Sequence, residues 1–243
     1  MTALVLAGHG SHLNGNSSAP VLAHAAELRR RGAFEQVHTA FWKEEPSLAR
    51  VLDGVTANEV VVVPVFISNG YFTKTVIPRE MRLDGPLTER EGRAIRYTAP
   101  VGADLSLANV VVERALEAGT TSADAVAVLG HGTRRESESE KNVYAMAECV
   151  RASQRFAEAG AVFLDQEPGM LDLLDIFAAR TVVVVPLFIA DGWHVGQTIP
   201  ADLALDGAET RRGGRTVRYT QPVGTHPMVA DVIVRLAMGV ASD

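Results

Sequence analysis

The feature that most constrains this chain is a gapless internal duplication. His9 recurs as His131, Pro46 as Pro168, Pro64 as Pro186, Gly70 as Gly192 and Tyr97 as Tyr219, each pair 122 residues apart. The surrounding text repeats as well: LVLAGHGS matches VAVLGHGT, EVVVVPVFISNG matches TVVVVPLFIADG, and GRAIRYTAPVG matches GRTVRYTQPVG. Such a period is too long for a solenoid unit and suits a whole small domain. The 243 residues therefore divide into repeats 1–121 and 122–243, meeting at the small, polar stretch AGTTSAD.

Within each repeat the apolar runs are short, β-branched and nearly continuous, the pattern of strands buried on both faces. In the second repeat this predicts strands over 125–129, 161–164, 181–188 and 216–219, with helices over 139–159, 169–178 and 227–238. Alternating strands and helices imply an α/β fold, two tandem domains each with a mainly parallel four-stranded sheet flanked by helices. Ligands of such sheets bind beyond the carboxyl ends of the strands. That rule selects the loops after residues 129, 164 and 188.

Composition narrows the chemistry. A formal charge of -6 argues against a general electrostatic hold on nucleic acid or an anionic membrane, which needs clustered Lys and Arg. The lone Cys149 makes neither an internal disulfide nor a thiolate cluster, so a metal would have to use His and carboxylate. The N-terminal MTALVLAGHGSH has no basic segment and too short an apolar run for a signal peptide. The longest apolar runs, 60–67 and 182–189, are far below a membrane span and each contains a proline. A cytoplasmic protein is expected.

Three residues of the second repeat fall in the selected loops. His131 lies in GHGT, where flanking glycines let the backbone turn and leave the imidazole open to a ligand. His194 lies in FIADGWHVGQTIP, and Glu167 precedes Pro168 in DQEP. Taken singly, each has an ordinary reading: a turn histidine, a surface histidine, an acid at a helix entry. A phosphatase with a histidine nucleophile would need Arg directly before the histidine, and Gly130 and Gly8 stand there. Together, three such residues on three strand ends of one sheet face one pocket. Neutral His131 and His194 can hold a borderline divalent metal, and Glu167 can accept protons or assist binding. That set suits insertion of metal into a tetrapyrrole, whose ring must lose two pyrrole N–H protons. In the first repeat His9 matches His131 and Glu45 matches Glu167, but Phe72 stands where His194 does. The active site is thus expected in 122–243, and 1–121 is expected to be a scaffold with a degenerate site.

The GHGS/GHGT opening, the EP step, the apolar strand ending in proline and FI, and the DGWHVGQTIP loop resemble the sirohydrochlorin chelatase family. The likeness is to the long, two-domain cobaltochelatases known as CbiX and the related sirohydrochlorin ferrochelatases, and it covers nearly the whole chain. It implies two flavodoxin-like or chelatase-like domains and ATP-independent insertion of a divalent metal, Co²⁺ first and Fe²⁺ or Ni²⁺ possible, into sirohydrochlorin for cobalamin or siroheme synthesis. By motif, the family's metal-binding histidines fall on His131 and His194 and its assisting acid on Glu167. The resemblance implies a histidine pair in the first half, as in long members of the family, and there this chain has Phe72. No cofactor is implied beyond the metal substrate, and no nucleic acid or membrane partner. Short family members work as homodimers, so a fused pair is expected to be a monomer acting as an internal pseudo-dimer. The eight carboxylates of sirohydrochlorin call for local cations or N–H groups. His9, Arg134, Trp193 and Tyr71 are the candidate substrate contacts, with Arg135, Lys74 and Arg79 nearby in sequence. A noncatalytic metal or tetrapyrrole carrier, or a pseudoenzyme subunit, are the rival readings.

Overall fold

In each repeat two apolar runs become inner strands buried on both faces, two partly buried strands flank them, and a hairpin adds a fifth. A computed structural model describes residues 2–12, 15–132, 138–192 and 194–239. The first sheet holds β1 (Thr2–Gly8), β2 (Gln36–Phe41), β3 (Glu59–Pro64), β4 (Leu87–Arg90) and β5 (Arg93–Tyr97) in the order β2-β1-β3-β5-β4. The second holds β6 (Ala125–Gly130), β7 (Glu158–Phe163), β8 (Thr181–Pro186), β9 (Glu209–Arg212) and β10 (Arg215–Tyr219) in the order β7-β6-β8-β10-β9. All neighbours pair in parallel except the edge hairpins β4–β5 and β9–β10. Val182, Val183, Val184 and Val185 of β8 are wholly buried, each worth about 1.5–3 kcal/mol relative to exposure.

Five strands per sheet correct the expected four. The missed strand is carried by a two-residue hairpin. Arg90 pairs with Arg93 across Glu91 and Gly92, and Arg212 pairs with Arg215 across Gly213 and Gly214. All four loop residues have positive φ, from 52° to 77°, as a type I′ turn requires.

The helices are α1 (Ala19–Arg31), α2 (Ile77–Met81), α3 (Leu107–Glu117), α4 (Glu138–Ala152), α5 (Leu173–Ile176), α6 (Ile199–Asp202) and α7 (Val229–Met238). Helix α1 opens with proline in its first turn and ends on Gly32 in the left-handed region, with Arg29, Arg30 and Arg31 beside its negative terminus. The helix expected over 139–159 stops at Ala152. The chain turns through Gln154 at φ 54° and re-emerges as β7. The helix expected over 169–178 is a 3₁₀ turn, Met170–Asp172, followed by the single turn of α5.

In space the chain does not divide at 121/122. One compact unit is Met1–Asp104 with Pro227–Asp243, and the other is Leu105–His226. Helix α7 therefore belongs with the first sheet and α3 with the second. In the first unit Arg96 of β5 donates to the Leu236 and Ala237 carbonyls at the end of α7, and Arg31 of α1 pairs with Asp231. In the second unit the matched Arg218 donates to the Ala118 and Gly119 carbonyls just past α3, both at 3.2 Å. The two helices present equivalent apolar stripes, Val110, Val111 and Ala115 against Val232, Ile233 and Ala237. Either stripe suits either sheet, so the exchange leaves no mark in the sequence. Among the described residues no helix is long and apolar enough to cross a membrane.

Candidate active site

The second sheet aligns three strand ends. Gly130 of β6 pairs with Phe163 of β7, and Leu129 pairs with Pro186 of β8, so the loops that follow leave from one edge. His131 sits first on that edge. Gly130 before it has no room for a side chain, because a Cβ would lie 2.4 Å from Val143 Cγ2. Gly132 after it turns the chain at φ 80°. The Leu164 and Asp165 amides donate to the Gly130 and His131 carbonyls at 3.1 and 3.0 Å, which binds the β7 loop to the histidine loop.

The imidazole is half exposed, and its Nδ1 lies 3.1 Å from the Gly132 carbonyl and 3.2 Å from Asp165 Oδ2. Both neighbours accept hydrogen bonds, so Nδ1 carries the ring proton and Nε2 is the nitrogen with the lone pair. A carboxylate behind an imidazole in this way fixes its tautomer and ring orientation, the usual support of a metal-binding histidine. Asp165 was not among the expected site residues. The first copy has Lys43 at its place, so comparing the repeats gave no signal. Only its position two residues before Glu167 hinted at it.

His131, Asp165 and Glu167 line one cleft of about 780 Å³, together with Asp172 and Asp202. Glu167 Oε2 accepts the Gly169 amide at 2.8 Å, and the carboxylate is exposed. The Glu167–Pro168 bond is cis, as is Glu45–Pro46. His194 begins a wide π-type turn, His194–Thr198, that leads into α6. Single π turns in helices recur at functional sites. The Tyr219 hydroxyl donates to the Val195 carbonyl at 2.9 Å and ties this turn to β10. Burial raises the Tyr219 hydroxyl pKa, and Asp191 adds to it, so the phenol stays a donor. Backbone alone is described for His194, while Arg134 and Trp193 lie outside the described residues. Among the described residues no three His, Cys, Asp or Glu side chains are close enough to hold a metal ion.

The first repeat fills the same place with rings. His9 meets Phe72 at 4.8 Å and Trp42 at 5.4 Å between centroids, both edge-on, and Phe66 stacks on Phe72 at 6.0 Å. Lys43 lies 3.6 Å over Trp42. The imidazole there has two aromatic edges within 5.4 Å, where His131 has a carboxylate and one ring, Phe188, farther off at 6.4 Å. Glu45 is held by the Ser47 amide and then by Arg50, and these lower its pKa. Asp172 replaces that arginine in the second repeat. Tyr71 is exposed and packs edge-on against Phe72 at 6.0 Å.

A duplicated, mostly parallel α/β sheet with a histidine and acids at its strand ends defines a class of tandem-repeat, chelatase-like proteins. Within that class the chain belongs to the CbiX family, whose model matches residues 3–118 and again 125–238. It is 41% identical over 267 residues to a Halobacterium salinarum protein named "Probable sirohydrochlorin cobaltochelatase", covering 98% of this chain and 91% of that one. A sirohydrochlorin cobaltochelatase of Methanopyrus kandleri is 31% identical over 141 residues, 97% of that protein against 49% of this chain. Among solved structures, a multi-domain Deinococcus radiodurans protein described as structurally similar to chelatases matches with TM-score 0.83 and 31% identity. The match covers 98% of this chain and 54% of that protein, which carries two additional domains. The sirohydrochlorin chelatase of Bacillus subtilis, solved with cobalt, matches over 99% of this chain and 95% of its own with TM-score 0.70 and 17% identity, a likeness of fold.

Proposed function

We propose that this chain inserts a divalent metal, Co²⁺ in the first place, into sirohydrochlorin without ATP, and that the second repeat carries the site. The observation that supports this reading best is the contrast between the repeats. His131 has an acid behind Nδ1 and opens with Glu167 on a cleft, whereas His9 is packed against Phe72 and Trp42.

In this reading the metal first binds the Nε2 lone pair of His131, with His194 as second ligand. Neutral nitrogen donors hold a borderline ion without locking it, so the ring nitrogens can take it over. As the metal enters, two pyrrole N–H protons leave and the ring becomes a dianion that balances the ion's charge. Glu167, exposed in the same cleft, accepts the two protons one after the other and passes each to water. The carboxylates of Asp165, Asp172 and Asp202 favour cation entry by making the cleft negative. The first repeat serves as scaffold, and the chain works as its own pseudo-dimer in the cytoplasm.

The test is to mix the protein with sirohydrochlorin and Co²⁺ and follow the ring's absorption. His131→Ala and His194→Ala are expected to slow insertion at least tenfold. Equal rates for wild type and both variants would exclude the site. Metal binding without faster insertion would make the chain a carrier. Competition among Co²⁺, Fe²⁺ and Ni²⁺ fixes the preferred ion.

A further inference from the structure

A second cavity, of about 350 Å³, opens on the flank of the first sheet. Its walls are the 3₁₀ turn Val51–Gly54, the end of α2 and the β4–β5 hairpin. Four guanidinium groups line it, those of Arg50, Arg82, Arg90 and Arg93, against the two carboxylates of Asp53 and Glu91. Arg50 pairs with Glu45. Among the described residues no carboxylate lies within ion-pair distance of Arg82, Arg90 or Arg93.

The second repeat separates the arginines that the fold needs from those it does not. Arg90 donates to the Arg82 carbonyl at 3.1 Å and Arg93 to the Leu52 carbonyl at 2.7 Å. Their counterparts do the same work: Arg215 makes the corresponding bond, to the Leu174 carbonyl, and Arg212 donates one residue earlier along the chain, to the Leu203 carbonyl. Those two therefore brace the hairpin in both repeats. Arg50 and Arg82 have no such duty, since Asp172 and Ala204 stand at their places and the second sheet forms without them. Arg82 is also exposed and sits at φ 54°, a helix-end conformation usually given to glycine.

We propose that this cavity binds a compact, multiply charged anion bearing phosphate or carboxylate groups. Arg50 and Arg82 supply the specific contacts, and the backbone-anchored Arg90 and Arg93 form a preset wall. A bound guanidinium that spends one of its five N–H groups on a carbonyl still offers a fork that matches either kind of oxyanion. The cavity falls within the size range of small-molecule sites. In a chain of net charge -6, general attraction cannot gather anions, so such binding has to come from a local cluster.

The intact protein is titrated calorimetrically with pyrophosphate and, separately, with citrate, each against potassium chloride of equal ionic strength. Wild type is expected to bind at least one anion saturably, and the tighter of the two identifies the phosphate or carboxylate source. The double variant Arg50→Asp/Arg82→Ala installs the second repeat's own residues and should weaken binding tenfold or more. Arg30→Ala, an exposed arginine on α1, should leave it unchanged. If the double variant loses its helical signal, Arg82→Ala alone serves. Binding that saturates no better than chloride, that survives the variant, or that Arg30→Ala weakens equally overturns the proposal.

Discussion

His131 and His9 occupy matched positions, yet their neighbours give them opposite prospects. At His131 the acid Asp165 holds the Nδ1 proton in place. Next to His9 the corresponding Lys43 has turned onto Trp42. A supporting carboxylate of this kind is worth about 10–100-fold in metal affinity or activity. Asp165→Asn is therefore expected to lower the Co²⁺ insertion rate by about that factor, because an amide can present N–H to the ring and favour the wrong tautomer. Lys43→Ala should leave the rate within twofold. Steady-state rates on sirohydrochlorin with a parallel Co²⁺ titration decide it, and an unimpaired Asp165→Asn enzyme would remove the acid from the argument. His131 and Glu167 were legible in the sequence because each lies in a repeated motif at a strand end. Asp165 was not, because one copy holds an acid and the other a base, and only the folded loop shows which side faces the imidazole.

At the scale of elements, both π-type turns are tied down by a tyrosine from the last strand of their sheet. Tyr97 donates to the Thr73 carbonyl at 2.7 Å and Tyr219 to the Val195 carbonyl at 2.9 Å. Deleting either hydroxyl strands a buried carbonyl, at about 1–3 kcal/mol. Tyr97→Phe and Tyr219→Phe should thus lose similar stability in denaturant titrations. Only Tyr219→Phe is expected to weaken Co²⁺ binding, since the turn it holds begins with His194 and the other begins with Phe72. Equal effects of the two on metal binding would refute a positioning role. Helix α1 offers a pH test. Hydrogen bonds from Arg30 and then Arg31 lower the Glu27 pKa from 4.5 to about 2. A carboxylate depressed in the folded state stabilises it above the unfolded value and loses that contribution as pH falls from 4.5 towards 2. Wild type and Glu27→Gln should therefore differ in melting temperature at pH 6, and the gap should narrow as pH falls below 4.5 and close only below the folded value of about 2, a gap kept small by the pair's exposure. A gap that is constant with pH would argue against the linkage. The inner strands were legible from their apolar runs, four valines in a row in β3 and β8 and mixed apolar residues in β1 and β6. The edge hairpins were not read, because their polar strands lack an apolar run and only EG and GG between arginines mark the turns. The end of α4 was not, for Ser153 and Gln154 carry no glycine or proline to stop a helix.

At the scale of the molecule, the duplication and its two sheets could be read from the sequence, but not which helix completes which sheet. Each compact unit takes its last helix from the other repeat, and the interchangeable stripes of α3 and α7 hide this. The exchange bears on what a single repeat can do. Helix α7 buries Val229, Ala230, Val232, Ile233 and Ala237. At about 1.5–3 kcal/mol for each large apolar side chain, that face is comparable with the whole 5–15 kcal/mol stability of a typical domain. A separately produced 1–121 fragment keeps α3 but lacks α7, and the 122–243 fragment has the reverse. If the connections into these helices favour exchange over closure on the same sheet, each fragment must borrow a helix from a second molecule. We therefore expect 1–121 alone to form a dimer with mutually exchanged helices, and the two fragments refolded together to form a one-to-one complex. The intact chain, with both exchanges satisfied internally, should elute as a monomer. Light scattering on the eluting species gives the masses. A 1–121 fragment that is monomeric and unfolds cooperatively would show that α3 closes on its own sheet, and would confine the exchange to the joined chain.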